Sequence, residues 1–199
     1  MESPIAQAES PYEVLRRLEN IVRVGVVAAV QHGKPARIRV RTGNITTNWL
    51  PWVAQRAGGR QRRHWWAPVA GEQCLLLAPG GDLLNAVALP GIYSDSNDQA
   101  STSATVERTD WSETEHAEHD SATGTYTMQV ERSITLRINN GASIEMTRDS
   151  ITLRAGGGSL VIDSAGVRGE PDVRSGSISL RTHLHTGVRT GTSNTGTPV

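Results

Sequence analysis

Apolar positions along this 199-residue chain change their period near residue 23. Between Ser10 and Val22 they recur every three or four residues, with Val14, Leu15, Leu18 and Ile21 set among Arg16, Arg17 and Glu19. That is the period of a helix with one apolar stripe, and the stripe is expected to pack on the rest of the fold. Ser10 offers an N-cap hydroxyl and Pro11 suits the first helical position, so the helix starts there. From Val24 the period drops to two: VGVVAAVQ, a turn at HGKP, then ARIRVRTG, in which Ile38 and Val40 alternate with Arg37, Arg39 and Arg41. Leu50 to Val53, Gln73 to Leu77 and Ala86 to Leu89 are further strand candidates, separated by glycine turns at Gly58-Gly59 and Gly80-Gly81. Short strands at this density point to a small antiparallel barrel.

An oligonucleotide/oligosaccharide-binding (OB) barrel fits that strand count. After Tyr93 the stretch SDSNDQASTSAT is polar and reads as a linker. From Thr125 a weak internal repeat follows: SITLR at 133, SIEMTR at 143, SITLR at 150, SLVIDS at 159 and SISLR at 177. Short strands in such steps mark either a β-solenoid or three intertwined chains building a β-prism. Ile134, Leu136 and Ile138 alternate with Thr135 and Arg137, giving one apolar face that a single thin sheet cannot cover by itself. A threefold assembly would bury it along an axis.

His183 and His185 flank Leu184 at the end of this repeat. In a strand, residues two apart share a face, so both imidazoles would point one way and Leu184 the other. One chain offers two nitrogen ligands, too few for a closed site, whereas three copies on an axis would offer six. A first-row ion such as iron suits imidazole, and ligand type alone leaves nickel, zinc and cobalt open. The bland alternative is two surface histidines near a chain end.

Composition narrows the classes further. The chain has no Phe, and four of its five Trp lie between Trp49 and Trp66, so bulky core material is concentrated in the N-terminal half. Twenty basic and twenty acidic side chains balance, which gives no overall electrostatic case for nucleic acid. The single Cys74 sits in an apolar run and reads as a small buried hydrophobe. MESPIAQAES lacks a basic region followed by an apolar stretch, and no run approaches the length of a membrane helix. A soluble product made without an export signal is expected.

The stretch from Thr47 to Ser94, with RTG at Arg41 to Gly43, RAG at Arg56 to Gly58, WWAP at Trp65 to Pro68, GEQ at Gly71 to Gln73 and LPGIYS at Leu89 to Ser94, resembles the OB domain of the phage baseplate assembly protein V family. THLHTG at Thr182 to Gly187 and the tail TSNTGTPV are similar to that family's tip. The resemblance implies an all-β homotrimer: an N-terminal helix over 1–23, an OB-fold domain over 24–95, a linker and start of shaft over 96–124, a triple-stranded β-helix or β-prism spike over 125–182, and a metal-capped tip over 183–199. It implies an iron ion held by six histidines, His183 and His185 from each chain. Some relatives also hold calcium in the shaft, although no dense carboxylate loop appears here. The expected role is the central spike of a contractile tail. It docks on the tail hub and baseplate proteins, assembles in the host bacterial cytoplasm, resides in the virion, and pierces the host outer membrane when the sheath contracts. A phage-derived bacteriocin or other contractile injection particle is the alternative origin.

Two rival readings come from the residues themselves. Trp49, Trp52, Trp65 and Trp66 with Arg56, Arg60, Arg62 and Arg63 could form a platform for single-stranded nucleic acid. The preferred reading gives these Trp residues to core and interchain contact, with no nucleic acid bound. His116, Glu118, His119 and Asp120, with Glu113 and Glu115, superficially resemble a metal or acid/base cluster. They lack the helical HExxH spacing and read as a solvated face at the linker edge, so no enzyme is expected.

Overall fold

The chain begins as its caps dictate. In the computed structural model, which describes residues 10–187 and 191, helix α1 spans Pro11–Ile21. The Ser10 hydroxyl accepts from the Glu13 N–H at 3.3 Å, and Glu13 in turn binds Arg16 at 2.7 Å and Arg17 at 2.9 Å. Its orientation differs from expectation. The buried residue of α1 is Asn20, whereas Tyr12 is 85% exposed and Leu15 and Leu18 are more than half exposed. The helix seats through its polar side because Gly81 comes directly under the Arg17 backbone. A Cβ at Gly81 would lie 2.2 Å from the Arg17 carbonyl oxygen, and its φ of +71° suits glycine.

Residues 1–99 form one unit and 100–199 another. In the first, β1 (Val22–Gln31), β2 (Arg37–Thr42) and β3 (Ile45–Thr46) are followed by a small hairpin of β4 (Ala57–Gly58) and β5 (Arg62–Arg63), then β6 (Gln73–Leu77) and β7 (Val87–Ile92). The main sheet is antiparallel with the order β3-β2-β1-β6-β7. The segment from Leu50 to Val53 closes it. Leu50 exchanges both backbone hydrogen bonds with Ile38 of β2, while the Val53 N–H donates to Ala88 of β7 at 2.8 Å and the Ala88 N–H to Pro51 at 3.0 Å. Strict alternation in β2 puts Ile38, Val40 and Thr42 inside, with the arginines on the other side. Gly25 permits the close approach of β1 to β2, since a Cβ there would lie 2.5 Å from Val40 Cγ1. Val27, Ile38, Val40, Leu50, Cys74, Leu76, Ala78, Ala86 and Ala88 form the core. Burial pushes the Cys74 thiol up to about 11, so it stays protonated.

The second unit is built of thin sheets. β8 (Val106–Asp110), β9 (His116–Asp120) and β10 (Thr125–Gln129) pair in the order β10-β9-β8. Within the 96–124 region, read as linker and start of shaft, β8 and β9 are sheet. VERTD and HAEHD carry too few apolar residues to signal strands, and charge pairing across the ladder marks them instead: Arg108 of β8 binds Glu118 of β9 at 3.0 Å. Next come β11 (Ser133–Arg137), β12 (Ser143–Thr147), β13 (Ser150–Ala155), β14 (Gly158–Asp163) and β15 (Gly166–Glu170), an antiparallel meander in chain order. Within one chain this is an open antiparallel sheet rather than the parallel coil of a solenoid. Two short strands, β16 (Arg174–Ser175) and β17 (Ile178–Ser179), close the described shaft.

Register in the meander sorts the side chains cleanly. Ile134 faces Met146, Leu136 faces Ile144, Met146 faces Ile151, Ile144 faces Leu153, and the row continues through Leu160, Ile162 and Val167. All of them lie on one side of the sheet. None is buried: Leu136, Ile144, Met146, Ile151, Leu153, Ile162 and Val167 are all exposed, as is Ile138 at 69%.

Candidate functional site

A turn built on Ser179 presents the two terminal histidines. Its hydroxyl accepts from the N–H groups of Arg181 at 3.1 Å and Thr182 at 3.0 Å, and its carbonyl accepts the His183 N–H at 3.0 Å. Asp172 braces the turn, and the Ser179 hydroxyl and then Arg174 hold its carboxyl below the usual range. His183, Leu184 and His185 lie in irregular backbone after this turn, not in the strand that their spacing suggested. The rings nevertheless come together, with centroids 5.0 Å apart at 75°. Leu184 projects away at 92% exposure.

The environment of His183 fixes its chemistry. Nδ1 lies 3.1 Å from the Ser179 carbonyl oxygen and 3.2 Å from that of Leu180. A carbonyl only accepts, so Nδ1 carries a ring proton, and the neutral ring then has its lone pair on Nε2, the tautomer that a metal-binding histidine needs. Sequence spacing could not show this bond. Among the described residues, no group of three or more His, Cys, Asp or Glu is placed to hold a metal within one chain. The tail TSNTGTPV lies outside the described residues.

Most of the acidic run lies on a paired strand, β9. Alternation along β9 puts His116, Glu118 and Asp120 on one face and His119 on the other. Glu118 and Asp110 share Arg108, while the Ala122 N–H and then the Thr105 hydroxyl hold the Asp120 carboxyl below its ordinary value.

Of the four clustered tryptophans, only Trp52 packs against the core. Trp49, Trp65 and Trp66 are exposed in the single chain, so of the expected roles, core and interchain contact, the core role falls to Trp52 alone. Trp65 leans on Trp52 at 5.8 Å and meets His32 edge-on at 6.4 Å, and Arg39 lies 5.8 Å over Trp49. No helix among the described residues is long and apolar enough to cross a membrane.

Comparison with known proteins bears on this arrangement. Residues 23–93 match the Type VI secretion system/phage-baseplate injector OB domain, and residues 177–199 match the GpV Apex motif. The spike protein of Escherichia phage P2 is 33% identical over 208 residues, covering 94% of this chain and 96% of that protein. The chain belongs to the phage baseplate spike family. In this spike the family's OB domain is the closed sheet, and the apex match begins at Ser177, just before the turn that holds the histidines. The thin sheets lie between the two matches in the sequence. The spike is a structural component of the virion's tail baseplate.

Proposed function

We propose that three copies of this spike wrap their β11–β15 walls around one axis, apolar faces inward, and that the resulting needle pierces the host outer membrane when the tail contracts. The uncovered face of that meander carries the reading. Each half-exposed Ile or Leu would contribute about 1 kcal/mol or more on burial, and a single wall gives it nothing to pack on. Stiffness under end-on load is then a property of a closed prism. The OB end docks on the tail hub, and assembly takes place in the host cytoplasm before the spike enters the particle. The OB match also spans secretion-system injectors, so the same mechanics would serve a bacteriocin-like particle.

At the tip, His183 and His185 from each copy would hold one transition ion, with iron the favoured candidate among imidazole-binding metals. Bound metal would supply a cross-link between three chain ends, because binding energy at a shared site is folding energy for whatever carries its ligands. The Ser179 turn orients His183, and Leu184 keeps an apolar side chain on the outer surface. For calcium in the shaft, no group of three or more ligand side chains gathers within one chain among the described residues. No residue performs covalent chemistry, and zymography on peptidoglycan is expected to show no lytic band.

Elemental analysis paired with mass in solution tests the reading. The expected result is a trimer with about one first-row metal ion per three chains, and His183→Ala with His185→Ala should remove that ion while the barrel stays folded. A stable metal-free monomer would refute both the assembly and the tip.

A further inference from the structure

One stretch of the OB domain is strongly basic. From Asn20 to Gly71 the chain carries nine Lys or Arg and no Asp or Glu. Four of these cations, Arg56, Arg60, Arg62 and Arg63, flank and build the β4–β5 hairpin, and all are exposed. None of the four makes an ion pair among the described residues. The hairpin is nevertheless seated. The His64 N–H donates to the Arg56 carbonyl at 3.0 Å, and Trp65 directly behind it rests on Trp52, which packs against the core. Trp65 and Trp66 still keep 61% and 54% of their surface exposed.

We propose that the β4–β5 hairpin, with Trp65 and Trp66 behind it, is a docking face for a protein surface bearing clustered carboxylates. Guanidinium forks bind carboxylates in paired hydrogen bonds, and Trp and Arg are the residues that most often dominate protein interfaces. Pre-seating of Trp65 lowers the ordering cost of association. Nucleic acid fits the same face less well. Trp65 already spends its ring contacts on Trp52 and His32, and Arg39 covers a face of Trp49, so no row of free rings remains for successive bases. The chain also balances its charges, with six carboxylates between Glu107 and Asp120, so its total field does not steer a polyanion.

This inference rests on the reading that the OB end docks on the tail hub, and it assigns the acidic surface to that hub. The test measures binding of the full-length spike to the purified hub protein of the same particle by calorimetry, between about 50 and about 300 mM NaCl. Binding is expected to weaken with salt. The combined variant Arg56→Glu, Arg60→Glu, Arg62→Glu and Arg63→Glu should weaken it by roughly 100-fold or more, and the matching four Arg→Gln changes by less. Both variants should keep the mass in solution and the thermal unfolding of the wild type. Equal binding by wild type and the Glu variant would overturn this inference and leave hub docking standing. No binding by the wild type would remove the hub reading and this one with it. Tight, hairpin-dependent binding of a thymidine oligonucleotide of about 30 nucleotides at about 150 mM NaCl would reassign the face to nucleic acid.

Discussion

The barrel and the shaft handle their apolar residues in opposite ways. Every buried hydrophobic residue among those described lies between Val27 and Ala88, while the shaft's two buried residues, Thr152 and Ser179, are polar. The shaft is not short of material, since its meander has an unbroken apolar side. It lacks a second layer. A closed sheet turns its inner face on itself and is complete as one chain, whereas a meander wall has half an interior and needs copies to supply the rest. On the proposed trimer, the barrel folds before assembly and the shaft's order comes with it.

The largest test of this contrast replaces one apolar residue in each region by Asp. Leu76→Asp places an unpaired carboxylate in the barrel core and is expected to cost more than about 4 kcal/mol, abolishing the barrel's calorimetric transition. Leu153→Asp should leave that transition intact and instead give monomers by sedimentation equilibrium. A trimeric Leu153→Asp protein would show that the meander face is not the interface. A second measurement sharpens the same division without mutation: raising protein concentration should raise the melting temperature of the shaft and leave that of the barrel unchanged.

Smaller effects probe the joints inside each region. Gly81→Ala puts a methyl group into the Arg17 backbone at a position with φ +71°, so the backbone conformation alone costs about 1–2 kcal/mol. The expected result is a lower barrel melting temperature and faster amide exchange in α1, with the shaft unaffected. In the β14–β15 hairpin, Arg168 holds the Asp163 carboxyl down to about 2 by hydrogen bonding, with help from the Ala165 N–H. A carboxyl whose folded pKa lies below its unfolded one stabilises above the unfolded value, near 4, and that contribution fades as pH falls toward 2. Asp163→Asn should therefore lower shaft stability slightly at neutral pH and make much less difference near pH 2, as thermal melts across that window would show.

Much of this architecture is written in residue periodicity, and what is missing has physical causes. The alternation of Ile38 and Val40 with three arginines, and of Ile134 and Leu136 with Thr135 and Arg137, shows strands and which residues share a side, because period two leaves no freedom. The stripe on α1 was equally visible, but amphipathicity says only that two sides differ. Gly81 beneath Arg17 decides which of them packs inward. β8 and β9 went unseen because their pairing rests on Arg108 and its carboxylates, and β4 and β5 because two-residue strands carry no period. At the tip the two histidines were legible as a pair. The carbonyl of Ser179 that fixes the His183 tautomer belongs to a turn, and side-chain order alone does not specify a turn's backbone.

Cys74 has a practical consequence. It is the lone sulfhydryl of the spike, sealed inside the barrel and kept protonated. A cysteine introduced anywhere on the surface would then be the single reactive handle per chain. Fluorophores or tethers could be placed site by site on wall, hairpin or apex, and the needle's rigidity read by optical trapping or energy transfer without first stripping a native thiol.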